Sequence, residues 1–420
     1  MMKSLPNAQT VQGCATLSKT QNTQKTLKTH TMKKNYLFLL ALLVGSLSGT
    51  ALLAQDAAPA EEEKTFTLSG SVDTYFRSSF KTRNPIGESA GLSPYAPSTS
   101  FANLKGFSLG MVNLIASYQG EKVGFTGDVV FGPRGKDAVF GTATGQAIIN
   151  QAFVYYKLND KLTLNLGQFN TFLGYEVISP AVNFHYSTSY LFSWGPFNHT
   201  GLRADYASEN GFVAKLAIMN PTDVVEFNPV NTYTFGAQLG KTNDKGGIWL
   251  NVLYGDQDGT LDGDVDGVGS TSAGSLFQID LTTGWNLSDK FYLGANISSQ
   301  SVAAGEVINT PGTVADATGD PSSFFGVALY PKIQLSEAFA LGLRGEYFSI
   351  TNSHLGIIGL DTNGDGNVME YTLSGNYKVG GFTFIPEFRI DMTSEDSFAD
   401  ADGAASTMMP SLTMAAVYKF

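Results

Sequence analysis

The segment "SLTMAAVYKF" (411–420) places Leu412, Met414, Ala416, Tyr418 and Phe420 at every second position. Side chains two apart share one face of a β-strand, so the segment reads as a strand with one apolar face and an aromatic at its end. A soluble domain more often ends in a few frayed polar residues. The terminal aromatic is therefore expected to be docked into something. The same period of two recurs upstream. In "GFTFIPEFRIDM" (381–392) one face carries Phe382, Phe384, Pro386, Phe388, Ile390 and Met392, and the other Thr383, Ile385, Glu387, Arg389 and Asp391. "FALGLRGEYF" (339–348) and "LFQIDLTTGW" (276–285) divide in the same way, into an apolar, partly aromatic face and a polar, partly charged one.

Alternation alone would also suit a soluble β-sandwich. Segment length separates the two: these runs are about 9–13 residues, whereas soluble strands average 5–6 and a strand tilted across a bilayer needs about 9–11. About sixteen such segments lie between residues 66 and 420, the first near 66–80 and the last near 409–420. Every second link is tight ("QGEK", "LNDK", "ASENG", "LSDK", "LSEA", "VGG"), and the links between them are long and rich in Gly, Ser, Asp and Pro. Short turns on one rim and long loops on the other predict an all-β fold, a closed transmembrane up-and-down antiparallel barrel with short periplasmic turns and long extracellular loops. Closure is required because lipid offers no water to edge N–H and C=O groups. The last strand should then pair with the first, near "KTFTLSGSVDTYF" (64–76), with Phe420 at the periplasmic interface.

Composition agrees. Charged residues make up 15% of the 420-residue chain and hydrophobic ones 43%, against about 25% charged in an average globular protein. "MKKNYLFLLALLVGSLSGTALLAQ" (32–55) has the basic start, apolar middle and small-residue tail of a secretory signal peptide. Residues 1–31 carry no acid and no hydrophobic period, so Met32 is the expected start and 56–65 a short periplasmic leader before a barrel over 66–420. The single cysteine, Cys14, precedes the signal peptide, which leaves the exported part without thiols. Loss of everything before Asp56 removes six of the 26 Lys and Arg and none of the 37 acids, so the formal charge falls from −11 to −17. Such acidity excludes a nucleic-acid partner, which needs a basic surface.

The stretch "LNLGQFNTFLGYEVISPAVNFHYSTSYLFSWGPFNHTGLRADY" (164–206) is more specific. With Gly167 and Phe169, Gly174 and Glu176, then Asn183, Tyr186, Ser187, Ser189, Tyr190, Leu191 and Phe192, and the run Gly195, Pro196, Phe197, His199, Thr200, Gly201, Arg203, it resembles the central signature of the OmpL-like family of outer-membrane β-barrel porins. The terminal Tyr418 and Phe420 resemble the signal by which outer-membrane proteins are recognised by the barrel-assembly machinery. The resemblance implies a pore in the outer membrane of a Gram-negative bacterium and no particular cargo.

Loop 170–198 is long and unusually aromatic, with Phe172, Tyr175, Phe184, Tyr186, Tyr190, Phe192, Trp194 and Phe197. Aromatic side chains in such number seek a sheltered surface, and the lumen is the nearest. The expectation is an inward-folded constriction with Glu176, His185, Tyr186, Trp194 and His199 as candidate lining residues; packing on the outer rim or on a neighbouring subunit, as in a homotrimer, is the alternative. Arg203 and Asp205, Arg344 and Glu346, and Arg389 and Asp391 stand two apart on the face assigned to the lumen, where fixed charges tune ion selectivity or merely pair along the wall. Asp361, Asn363 and Asp365 begin like a calcium loop, yet Thr372 stands at the twelfth position and no helix pattern flanks them; Asp256, Asp258, Asp262, Asp264 and Asp266 form a second acidic loop. A solvated loop is the ordinary reading of both. Three histidines after Asp56, no cysteine and no hydrolase motif speak against an enzyme, the one suggestion being Ser187 near His185 or His199. The sequence thus predicts a porin-like channel for small hydrophilic solutes or ions, without cofactor, with a plugged adhesive or structural barrel as the alternative.

Overall fold

The computed structural model describes residues 65–139, 148–229, 231–257, 275–303 and 321–420. The predicted upstream extension, the signal peptide, the leader up to residue 64 and Asp258, Asp262, Asp264 and Asp266 lie outside them. The described strands are β1 (Thr65–Ser78), β2 (Gly106–Gln119), β3 (Val123–Phe131), β4 (Ile149–Asn159), β5 (Leu162–Asn170), β6 (Asn198–Ala207), β7 (Phe212–Met219), β8 (Thr234–Asn243), β9 (Gly246–Gly255), β10 (Leu276–Asn286), β11 (Phe291–Val302), β12 (Ser322–Gln334), β13 (Phe339–Thr351), β14 (Gly366–Val379), β15 (Phe382–Thr393), β16 (Phe398–Ala399), β17 (Ala405–Ser406) and β18 (Met408–Lys419). Sixteen of them close into one antiparallel barrel in chain order, β15 passing directly to β18; β16 and β17 form a separate hairpin in the last long loop. That hairpin and three short helices in outer loops, at Pro85–Ser89, Pro133–Ala138 and Tyr190–Ser193, were not legible as period-two segments.

Closure joins the two ends of the described chain. β1 and β18 pair from Ser71 opposite Lys419 to Ser78 opposite Leu412, and Gly70 and Phe420 exchange backbone hydrogen bonds of 3.1 and 3.0 Å. Gly70 is required there: a Cβ would meet the Asn113 carbonyl oxygen at 2.3 Å and the Phe420 ring at 2.8 Å. The docked end expected for Phe420 is this seam.

The faces sort as the alternation predicts. Leu343, Leu373, Phe277, Ile279, Phe384 and Phe388 point outward and are exposed, while Arg344, Thr372, Gln278, Asp280 and Glu387 between them are buried inside. Outward aromatics cluster towards strand ends, Tyr118 beside Phe125 and Phe76 beside Phe107 among them, where amphipathic and apolar rings suit the membrane interface. The register shifts at three irregularities, between β1 and β2 at Val72/Thr74, between β3 and β4 at Asp128/Val129, and between β4 and β5 at Lys157/Asn159.

Because the lipid face alone meets hydrocarbon, Leu343→Arg should cost about 2–4 kcal/mol of barrel stability, the range for a basic residue at the bilayer midplane. Urea unfolding in lipid vesicles measures it, and the conservative Leu343→Ile should sit near the unmodified protein.

Candidate functional site: the loop inside the barrel

Loop 171–197 leaves the outer end of β5 and returns to β6, its neck closed by a 2.9 Å hydrogen bond from the Thr171 amide to the Phe197 carbonyl. Between those points it runs down the lumen. The Gly174 amide donates to Asp280 of β10 at 2.8 Å, and Tyr175 reaches the Tyr292 hydroxyl at 2.9 Å and stacks on Tyr330 with ring centres 4.1 Å apart. Tyr292 is the second residue of β11 counted from its periplasmic turn, so the loop descends most of the barrel's height. Its lowest turn carries Phe184, whose carbonyl accepts from Asn376 at 2.8 Å and whose ring fills the space over Gly342, where a Cβ would lie 2.3 Å from it.

Going back up, the loop is held by wall carboxylates that accept from its backbone amides. Glu387 of β15 takes the amides of Tyr186 and Ser187 at 2.9 and 3.2 Å, and Glu346 of β13 takes those of Tyr190 and Leu191, both at 2.7 Å. Within the loop, Glu176 accepts from the Ser189 amide at 2.8 Å. Near the neck Asp223 accepts from the amides of Phe197 and Asn198 at 2.7 and 2.8 Å. Hydrogen bonds to an ionised acceptor are roughly twice as strong as neutral ones, and irregular backbone at membrane depth needs such partners because no lipid can supply them.

Buried arginines pair with Glu176 and with a second set of wall acids. Fully buried Arg344 meets Glu176 at 2.7 Å, Glu370 of β14 at 2.9 Å and the Ser187 carbonyl at 2.8 Å. Arg389 pairs with Asp391 at 2.6 Å, approaches Glu370 at 3.7 Å and donates to the Thr188 carbonyl at 2.7 Å. Arg203 forks onto Asp205 at 2.8 Å by two nitrogens. Two of the three sequence pairs therefore meet. Arg344 and Glu346 do not pair: the arginine bridges Glu176 and Glu370, and the glutamate is spent on loop amides.

The candidate lining residues separate. Glu176, His185 and Tyr186 are buried inside the barrel on separate partners, Glu176 at 2.7 Å from Arg344, His185 at 2.8 Å from Ser374 and the Tyr186 hydroxyl on Asp73. Trp194 sits towards the outer end, donating to the Ser98 carbonyl at 2.8 Å. His199 belongs to β6 and meets Thr171 at 2.9 Å beside Phe169 and Phe172. Ser187 meets Arg344, not a histidine. The loop's aromatics are spread over four clusters: Phe192 and Phe197 with Phe101, Met111 and Val130; Tyr190 and Trp194 with Phe324 and Phe348; Phe172 with Phe153, Phe169 and Leu253; and Tyr186 with Tyr75, Ile385 and Val417. Tyr418 and Phe420 face the periplasmic rim, half exposed.

The acidic loop offers little to a cation. Asp361 accepts from the amides of Asn363 and Asp365 at 2.8 and 2.9 Å, Asp365 accepts from Asn352 at 3.0 Å, and no group of three acidic, His or Cys side chains among the described residues is arranged to hold a metal. Glu370, Glu387, Asp280 and Asp73 were not among the sequence candidates. A lumen-facing acid without a base two residues away was the available signal for Asp73, Asp280 and Glu370, whereas Glu387 stands two before Arg389.

Two expectations follow. Glu346→Gln with Glu387→Gln weakens four charge-assisted bonds of about 1.5–3 kcal/mol each, so thermolysin should cut between residues 184 and 191 in the folded variant and leave the unmodified barrel intact. His354, in the outer loop 352–365, bonds Ser322 at 2.9 Å and Gln300 at 3.0 Å, and burial lowers its imidazole to about 3. A depressed histidine contributes stability that is complete above the unfolded value near 6.5 and is lost as pH falls towards 3. Local opening of this loop, read by hydrogen exchange, should ease by up to about 1.4 kcal/mol per pH unit below 6.5, and His354→Gln should flatten the slope.

A family model described as putative beta-barrel porin-2, OmpL-like, matches residues 65–420. No curated protein matches the chain. Among solved structures it is similar to the outer-membrane channel DcaP of Acinetobacter baumannii, at 12% identity over 88% of this chain and 100% of that one with a TM-score of 0.54. The anion-selective porin from Comamonas acidovorans aligns at 12% identity over 85% and 100% of the two chains, TM-score 0.53. Salmonella typhi OmpF, in a complex with daunomycin, aligns at 10% identity over 85% and 98%, TM-score 0.54. At these identities the likeness is one of fold. The family match spans the whole barrel, signature loop included, and the chain belongs to the OmpL-like β-barrel porins of the outer membrane.

Proposed function

We propose that the protein is a passive channel for small hydrophilic solutes in which loop 171–197 restricts the path, with Glu176, His185 and Tyr186 at the restriction. The observation that carries this reading is the capture of loop amides by Glu346 and Glu387 on the wall, which holds the loop inside the barrel without covalent links. Arg203, Asp205, Arg344, Arg389 and Asp391 set the field beside it. The protein works without covalent chemistry, as the Ser187–Arg344 contact supports. Tyr418 and Phe420 serve recognition by the assembly machinery, and the exposed apolar belt meets outer-membrane lipid and the neighbouring subunits of a homotrimer.

One observation favours a barrel closed at rest. Gln238, Asn251, Gln278, Asn296 and Gln300 face the lumen and are 0–2% exposed. In that reading the loop is a plug that must move before solutes pass.

Planar-bilayer recording separates the two. The unmodified protein should give small discrete steps, and excision of residues 175–191 should raise the step size severalfold. Silence from the unmodified protein with large steps from the excised one would establish the plug; equal steps from both would show that the loop does not restrict the path.

A further inference from the structure

The outer rim holds a cleft of about 390 Å³ between two of the long links. One wall is the end of the β1–β2 link, Asn103 and Leu104, beside Tyr75 of β1; the other is the helix Pro133–Ala138 that follows β3, with Arg134, Lys136 and Asp137. Both walls are anchored. The Leu104 amide donates to the Tyr75 hydroxyl at 2.9 Å, and the Ser93 hydroxyl donates to the Asn103 carbonyl at 2.6 Å. Across the cleft, Asn198 donates to the Ala138 carbonyl at 3.3 Å, and Arg134 donates to the Ile178 and Tyr186 carbonyls of the inner loop at 2.9 and 3.2 Å.

Four polar groups of the lining are left over. The Asn103 side-chain amide donates to the Thr99 carbonyl at 2.6 Å, which fixes its orientation, and its Oδ1 has no hydrogen-bond partner; nor has Nη2 of Arg134, although both atoms are buried. Lys136 and Asp137 are exposed and make no ion pair among the described residues. Buried polar atoms are ordinarily paired. Unpaired ones in the walls of a cleft whose volume is in the range of small-molecule sites point to a ligand. Two of the four groups are cationic donors, and two are acceptors, one of them a carboxylate. A plain anion would leave Asp137 and Asn103 facing its charge, and a plain cation would meet Arg134 and Lys136. A zwitterion answers both pairs.

We infer that this cleft binds a free α-amino acid arriving from outside, its carboxylate between Lys136 and Arg134 and its ammonium towards Asp137 and Asn103. Charge-assisted hydrogen bonds of both signs fix such a ligand in one orientation. The lining has two cations against one carboxylate, so an amino acid with an acidic side chain fits it best.

The inference stands apart from the channel reading, and its test needs no conduction. L-Aspartate titrated calorimetrically at low ionic strength into the detergent-folded protein should bind, and Lys136→Gln/Asp137→Asn should weaken binding about tenfold or more. Asp289→Asn/Lys290→Gln makes the same exchange of charges in a periplasmic turn and should leave binding unchanged; heat-modifiable migration verifies that each variant is folded. Succinate, which has two carboxylates and no ammonium, should bind at least about tenfold more weakly than aspartate. No aspartate binding by the unmodified protein, binding that survives Lys136→Gln/Asp137→Asn, or equal binding of succinate would each overturn the proposal.

Discussion

Everything in this barrel follows from the absence of water in the hydrocarbon layer. A backbone amide or carbonyl left bare there costs several kcal/mol, so a sheet that enters the membrane must close, and here it closes through β1 and β18. The Gly70–Phe420 pairing continues that seam to the end of the described ladder. Strand length, the even strand number and the outward apolar face are consequences of the same demand, since each strand must cross the layer and offer lipid nothing polar.

The interior meets the demand a second time. A loop of irregular backbone inside a barrel has amides with no ladder to join, and the wall supplies carboxylates in place of a neighbouring strand. Glu346 and Glu387 each accept two consecutive amides, Asp280 accepts one at the descent, and Asp223 two at the exit. Arg344 and Arg389 tie a second set of acids, Glu176, Glu370 and Asp391, to the Ser187 and Thr188 carbonyls, so that loop and wall share one charge network. Breaking a buried pair leaves its partner uncompensated, typically at about 3–5 kcal/mol, which explains why the loop is held in one place.

Much of this was legible in the residues. Period-two alternation over long segments, tight turns alternating with long loops and an aromatic end predicted the barrel, its strand number and the pairing of its ends, because side-chain parity and membrane thickness are local properties of a strand. The aromatic content of 170–198 likewise predicted that the loop seeks shelter in the lumen. Two things were not legible. Arg344 and Glu346, two apart, read as a pair, yet their partners come from Glu370, Glu176 and the loop amides, all distant in sequence. Trp194 and His199, grouped with the constriction by proximity in sequence, face Ser98 and Thr171 instead.

By itself, then, the sequence determined which face of each strand meets lipid, how many strands cross and which segment enters the lumen, since these depend on spacing within a segment. The tertiary structure decided which carboxylate holds which amide, how deep the loop descends and which arginine meets which acid. Such contacts join residues more than a hundred positions apart, as Glu387 to Tyr186 and Arg344 to Glu176 do, and no local pattern encodes a distance that only barrel closure creates.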